Sequence, residues 1–314
     1  MIRKKTVDAE TLRAFSSQEL LNEINTNELS LLKTLGADDL LNEMMGTGNF
    51  CQGLIDIVCL EKDDGKLREA MCRAINSVAP TTFFNDMPQD ENCIVIGFNH
   101  PSLGEILRLG YIVLKNYPGR DILFPVNIPW YETLTAEIPN LERLNVHITP
   151  MITPKTEAKL IQKAGDDQEM LNDIQHYKTV FEKNYMRAAR KCAENNGIIV
   201  VAPSATRQKD VFVNEEQKKG EGHLHPTMTL LARVVLRKES DRATFLPMAV
   251  LEPPVSNPNL NLFRDYRLYP CEPFSTEDVR NLTSEHSRKF DYEFLKRIDN
   301  VYRHKTSLQA VRKK

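Results

Sequence analysis

The 314 residues carry 41 Lys and Arg against 43 Asp and Glu, a formal net charge of −2, with 41% hydrophobic and 27% charged side chains. This ordinary globular composition excludes a fibrous, low-complexity or disordered chain, and the near-neutral charge gives no global basic field, so no nucleic-acid partner is expected. The length allows one large domain, or a large one plus a small one, around a sizeable core.

Along the chain, residues 8–69 are the acidic part, with 13 Asp and Glu against 5 Lys and Arg. Leu12, Phe15, Leu20, Leu21 and Ile24 recur at three to four residues, Asn27 offers a cap to 28–35, and 37–45 ends at Gly46-Thr47-Gly48. A further stripe, Leu54, Ile55, Val58 and Leu60, then Leu67, Met71, Ile75 and Val78, is broken at Asp63-Asp64-Gly65 and stopped by Pro80. These patterns amount to four or five short helices and predict a small helical-bundle domain over 1–80.

From residue 92 the period changes. β-rich runs at 93–98, 121–126, 145–148, 197–202 and 244–251 alternate with helical stretches at 103–115, 168–194 and 227–237. This alternation predicts an α/β domain over 81–314, a mixed, largely parallel sheet flanked by helices. Ile198-Ile199-Val200-Val201 is continuously apolar, the pattern of a central strand buried on both faces. A last amphipathic segment, 276–302, presents Val279, Leu282, Phe290, Phe294, Leu295 and Ile298 as its apolar face.

No apolar run approaches the ~20 residues that span a bilayer, and residues 1–8 have charge with no apolar stretch behind them. A soluble cytoplasmic protein is expected. The six cysteines (Cys51, Cys59, Cys72, Cys93, Cys192, Cys271) form no C-x-x-C pair, so reduced, packed thiols are expected and no zinc site. His223 and His225 lack a third ligand at metal-binding spacing, so no metal is expected there either.

Two strand ends carry residues suited to chemistry. In Asn99-His100-Pro101-Ser102-Leu103-Gly104-Glu105 a histidine stands where a strand ends and a helix begins, the carboxyl edge where open α/β sheets place their sites. Glu105, in the first turns of that helix, can reach back to one imidazole nitrogen and leave the other as a base for a hydroxyl. The plainer alternative is that His100 caps the helix and Glu105 favours its positive end. The second end reads Pro203-Ser204-Ala205-Thr206-Arg207-Gln208-Lys209. Arg207 can fork onto two phosphate oxygens, Lys209 adds a compact charge, and Ser204 or Thr206 can hydrogen-bond; an ordinary exposed loop is the alternative.

Together the two blocks resemble the glycerolipid acyltransferase superfamily, whose first block is Asn-His, four residues, then Asp, and whose third is typically Pro-Glu-Gly-Thr-Arg. The chain has Glu105 in place of the Asp, and Ser204 and Ala205 in place of Glu and Gly. The Ala-Pro-Ser version, with one residue between two basic ones, is similar to the soluble glycerol-3-phosphate acyltransferases of chloroplasts, which also place a helical domain first. Leu246-Pro247-Met248-Ala249-Val250 resembles the fourth, proline-containing strand block, and the likeness covers about residues 90–255. It implies His100 as general base, Glu105 as its orienting carboxylate and Arg207 with Lys209 as the phosphate site. Pro150-Met151-Ile152-Thr153-Pro154-Lys155-Thr156 falls where these enzymes place a basic phosphate-contacting pair, of which only Lys155 matches in type. The implied reaction moves an acyl group from acyl carrier protein or coenzyme A to the 1-hydroxyl of glycerol 3-phosphate, with no metal or cofactor. A lysophospholipid acceptor, or a non-catalytic lipid- or carrier-binding protein on the same scaffold, are the rival readings.

The last 28 residues, 287–314, hold 9 Lys and Arg against 3 Asp and Glu. They read as a solvated helix face, or as a patch for an acidic carrier protein or for peripheral contact with anionic headgroups. Arg297, Arg303 and Lys305 are the candidates for that patch.

Overall fold

The computed structural model describes residues 62–78, 87–99, 104–128, 141–203, 226–251, 267–285 and 288–311, without the side chains of 73–78, 104–107, 155, 285 and 307–311. In chain order these form α1 (Asp64–Val78), β1 (Cys93–Phe98), α2 (Gly104–Asn116), β2 (Ile122–Asn127), a 3-10 turn (Leu141–Leu144), β3 (Val146–Met151), α3 (Pro154–Ala164) and α4 (Gln168–Glu194). They continue with β4 (Ile198–Val201), α5 (Thr227–Val235), β5 (Ala243–Leu251), β6 (Arg267–Pro270), α6 (Thr276–Glu285) and α7 (Lys289–Val311). The expected α/β class is observed: a sheet in the order β3-β2-β4-β1-β5-β6, with β2, β4, β1 and β5 parallel and β6 antiparallel to β5. Of the helical domain expected over 1–80, only α1 is described; its other helices lie outside the described residues. No helix among the described residues is long and apolar enough to cross a membrane.

Contacts divide the chain into two units, the cut passing through β2 and α4: one holds α1 to Ala74 and Pro125–Tyr185, the other Ile75–Phe124, Met186–Pro254 and Asn261–Lys314. In the second unit β1 and β4 are buried along their whole length, as continuous apolar runs require when both faces are covered. α7 packs on β5, and α5 and α6 pack on α7. Phe290 meets Phe245 and Phe274 edge-on at 5.4 Å, and Phe274 stacks on Phe294 at 5.9 Å. Each such ring contributes about 1.5–3 kcal/mol by leaving water.

In the first unit Asp63 caps α1, its carboxylate accepting from the Lys66 amide at 2.9 Å, and α1 buries Leu67 and Met71. Ile128, Ile152, Leu160, Ala164 and Ile174 form an apolar cluster against which Tyr177 and Phe181 pack. Lys178 and Gln175 of α4 both reach the Glu157 carboxylate of α3, at 2.8 and 2.9 Å.

Three differences from the expectation have local causes. The segment around Lys155, expected as an exit from a strand at 145–148, is the end of a longer β3 followed directly by α3. Thr153 caps α3, accepting from the Thr156 amide at 3.4 Å, and Pro154 stands at the first helical position, where a missing N–H costs nothing. The single segment 276–302 is two helices, with Val279 of α6 and Phe290, Phe294 and Ile298 of α7 all fully buried. β6 has no counterpart in the sequence-based expectation; four residues ending in Pro270 carry little signal of their own and are held by pairing Leu268 with Val250.

Candidate active site

β1 and β4 are parallel neighbours with Gly97 opposite Val201, so the chain leaves both at the same edge of the sheet, one strand spacing of about 4.8 Å apart. Asn99-His100 follows β1 and Pro203-Ser204 follows β4. The two sequence blocks therefore start side by side at the carboxyl edge, both within the second unit. His100, Ser204, Thr206, Arg207 and Lys209 themselves lie outside the described residues. Glu105 is the second residue of α2 and Lys155 the second residue of α3; the side chains of both are outside the description.

The supports of this edge are described. Gly97 has no side chain because none fits: a Cβ there would stand 2.5 Å from Phe294 Cε1 and 3.2 Å from Pro203 Cγ. The proline that opens the second block thus rests on the strand that leads to the first. Asn99, only 2% exposed, donates from Nδ2 to the Val250 carbonyl at 2.8 Å and accepts from the Val250 amide at 2.6 Å. Sequence reasoning places Asn99 in a motif and gives it no role of its own; a polar residue closing a fully apolar strand is the signal that could have found one.

The chain re-enters the described residues at Pro226, just before α5. Asp291 of α7 caps that helix, accepting from the Met228 amide at 2.7 Å, the Thr229 amide at 3.3 Å and the Thr229 hydroxyl. Burial pushes its carboxyl up to about 6, with these three hydrogen bonds opposing. α5 is thereby anchored at the end nearest in sequence to Arg207 and Lys209.

Lys155 belongs to the first unit. Its turn is pinned by Asn127 at the carboxyl end of β2, whose carboxamide hydrogen-bonds the Thr156 hydroxyl and accepts from the Ile128 amide at 3.1 Å. The sequence alone gives none of Asn127, Thr153 or Thr156 this supporting role.

At the opposite, amino edge of the second unit lies an open groove of about 640 Å³, lined by Gln89, Asp90, Tyr117, Arg120, Asp121 and Asn196 among others. Among the described residues its one cation, Arg120, is already engaged. Arg120 donates from Nε to the Asn196 carbonyl and from Nη1 to the Asp90 carbonyl, both at 2.7 Å, and from Nη2 to the Asn92 carbonyl. Asp90 in turn accepts from the Thr244 hydroxyl and, at 2.9 Å, from the Asn92 amide. Burial opposes its charge, but these bonds and Arg120 outweigh it and hold the carboxyl below the usual range. This is a brace across the starts of β1, β2, β4 and β5.

The C-terminal cations are also engaged. Arg297 donates to the Glu272 and Pro273 carbonyls at 2.7 and 2.8 Å and lies over the Phe274 ring at 3.4 Å. Arg303 bonds Asp299 at 2.8 Å, and Lys305 lies over the Tyr269 ring at 4.9 Å. Arg297 in particular is part of the packing of α7. Cys93, Cys192 and Cys271 are buried thiols, with burial pushing Cys192 and Cys271 up to about 12.

No family model and no curated protein matches this chain.

Proposed function

We propose that the chain is an O-acyltransferase that moves a fatty acyl group from the thioester of acyl carrier protein or coenzyme A to the 1-hydroxyl of glycerol 3-phosphate. The observation that supports this reading is the adjacency of β1 and β4: a block of Asn, His and Glu and a block of hydroxyl and basic residues begin at neighbouring strand ends on the carboxyl edge. A histidine base and a phosphate cradle must lie a few ångströms apart to act on one small molecule.

In this reaction His100 takes the proton of the acceptor hydroxyl as its oxygen attacks the thioester carbonyl. The tetrahedral oxyanion collapses, the C–S bond breaks, and the imidazolium returns the proton to the departing thiolate. Glu105 orients the ring and stabilises the imidazolium; no covalent acyl-enzyme forms. Peptide N–H groups at the start of α2 are the candidate oxyanion donors. Arg207 and Lys209, with Ser204 and Thr206, hold the phosphate. The thioester donor arrives from solution, and the released carrier leaves as a free thiol.

Purified protein incubated with acyl-carrier and acyl-coenzyme donors against a panel of glycerol 3-phosphate, lysophosphatidate and glycerol tests this. Acylation of glycerol 3-phosphate in preference to glycerol is expected, because glycerol lacks the phosphate. Preference for lysophosphatidate would move the acceptor to a lysophospholipid, and no turnover with any pair would remove the enzyme reading.

A further inference from the structure

We propose that Asn99 is a positioning residue for His100, its carboxamide standing in for the last rung of the β1–β5 ladder and so setting the point and direction at which the chain carrying His100 leaves the sheet. Its kinetic consequences rest on the acyl-transfer reading; its structural basis does not.

Successive residues of a strand in a parallel ladder turn their N–H and C=O to opposite neighbours. The Ile94 amide donates to the Gly197 carbonyl at 3.1 Å, so even-numbered residues of β1 face β4 and the odd-numbered ones, through 99, face β5. On β5, the Pro247 carbonyl accepts from the Cys271 amide beside β6 at 2.9 Å, which leaves 246, 248 and 250 facing β1. The register pairs Gly97 with Pro247 and Phe98 with Met248. Continued by one rung, it would give the Val250 amide to the carbonyl of residue 99 and the Val250 carbonyl to the amide of residue 101.

Residue 101 is proline, which has no N–H to give. The rung cannot be completed by main chain. Val250 is fully buried, so its amide and carbonyl would be left without water as well as without partners, which is costly for a buried donor and acceptor. The Asn99 side chain supplies both missing groups: Oδ1 receives the Val250 amide at 2.6 Å and Nδ2 donates to the Val250 carbonyl at 2.8 Å. Among side chains of that length only asparagine offers a donor and an acceptor together; Asp has no donor and Gln is one methylene too long.

The consequence for His100 is geometric. With its side chain fixed by two hydrogen bonds to β5, Asn99 ends strand pairing at a defined residue and holds the backbone atom from which His100 is built. A general base misplaced by about 1 Å costs on the order of 10²-fold in rate.

The test uses the full chain and compares Asn99→Ala and Asn99→Asp. Asp keeps acceptance from the Val250 amide and turns its second oxygen against the Val250 carbonyl, so it remains informative if Ala does not fold. Circular dichroism and thermal melting establish that the variants are folded. Asn99→Ala is expected to lower kcat about 10²-fold with the KM for glycerol 3-phosphate changed less than about threefold, and Asn99→Asp to fall between it and wild type. In a His100→Ala background the same substitution is expected to lower the residual rate by less than about twofold. Without substrates, the imidazole resonance that His100→Ala removes is followed by NMR against pH, and its titration is expected to differ between Asn99→Ala and wild type as the ring changes surroundings. Wild-type kcat together with an unmoved His100 titration, or an equal loss of rate with and without His100, overturns the proposal. If the wild-type protein shows no transfer with any donor, the functional reading fails by itself, and the titration alone decides Asn99.

Discussion

The two edges of the second unit's sheet use polar residues in opposite ways. At the amino edge Arg120, Asp90 and Asn92 satisfy one another and the carbonyls just ahead of β1 and β4, and the groove between them offers no unengaged cation among the described residues. At the carboxyl edge the described polar group, Asn99, is also spent on main chain, but it secures the departure point of a histidine. The edges differ in the elements they join. Parallel strands lead at their carboxyl ends into helix starts, where peptide N–H groups and the positive end of the dipole favour anionic substrates, whereas the amino edge faces helix ends. The proposed site therefore rests on the direction of the strands and not on a depression in the surface.

The contrast predicts rate effects at one edge and stability effects at the other. The largest is His100→Ala, expected to lower kcat at least ~10³-fold, with Glu105→Gln lowering it ~10²-fold, while melting temperatures stay close to wild type. Near-wild-type turnover by His100→Ala would end the assignment of the base. Next, Arg207→Ala should raise the KM for glycerol 3-phosphate roughly 10- to 100-fold and leave kcat within a few-fold, since a phosphate contact persists through the transition state. Acceptor titrations showing both constants unchanged would take this loop out of the site.

At the amino edge Arg120→Ala is expected to cost about 3 kcal/mol by leaving the Asp90, Asn92 and Asn196 carbonyls without their donor. The melting temperature should fall by several degrees and kcat/KM per folded molecule should not change; a kinetic defect in the folded variant would join the two edges functionally. The smallest effect concerns Asp291. Its carboxyl is held up at about 6 in the folded protein against an ordinary 3.8, so the folded state binds the proton more tightly. That contribution to stability is present below about pH 4 and is lost as pH rises through 6. Asn at 291 does not titrate. The stability of Asp291→Asn relative to wild type should therefore rise across pH 4–6, by an amount on the order of 2 kcal/mol, and parallel curves from calorimetry at pH 4, 5, 6 and 7 would contradict it.

The elements most accurately legible in the sequence are those whose limits are chemical. β1 occupies 93–98 because an apolar run lies between two asparagines, and α4 occupies 168–194 because Asp167 caps it, at 3.1 Å from the Glu169 and Met170 amides, and Asn195-Asn196-Gly197 ends it. The positive φ of 53° at Asn196 is one that few residues other than glycine and asparagine adopt readily. α3 carries a legible start in Thr153-Pro154, obscured by the strand before it and by the interest of Lys155 as a cation. The break between α6 and α7 is not legible, since apolar residues at helical spacing continue on both sides of it.

For the candidate site, residue types and their order along the chain are a matter of sequence: a histidine with a carboxylate five residues on, and two cations with one residue between them, each after an apolar run. Local patterning decides these because strand, cap and turn preferences act over a few residues. That the two runs are neighbours was decided by the tertiary structure alone. Their pairing joins residues about a hundred positions apart, Gly97 to Val201, and depends on the side-chain-free Gly97 admitting Pro203 and Phe294. The role of Asn99 was likewise invisible, because its partner, Val250, stands 151 residues away. Such contacts depend on which strands share a buried interior, and packing settles that for the chain as a whole.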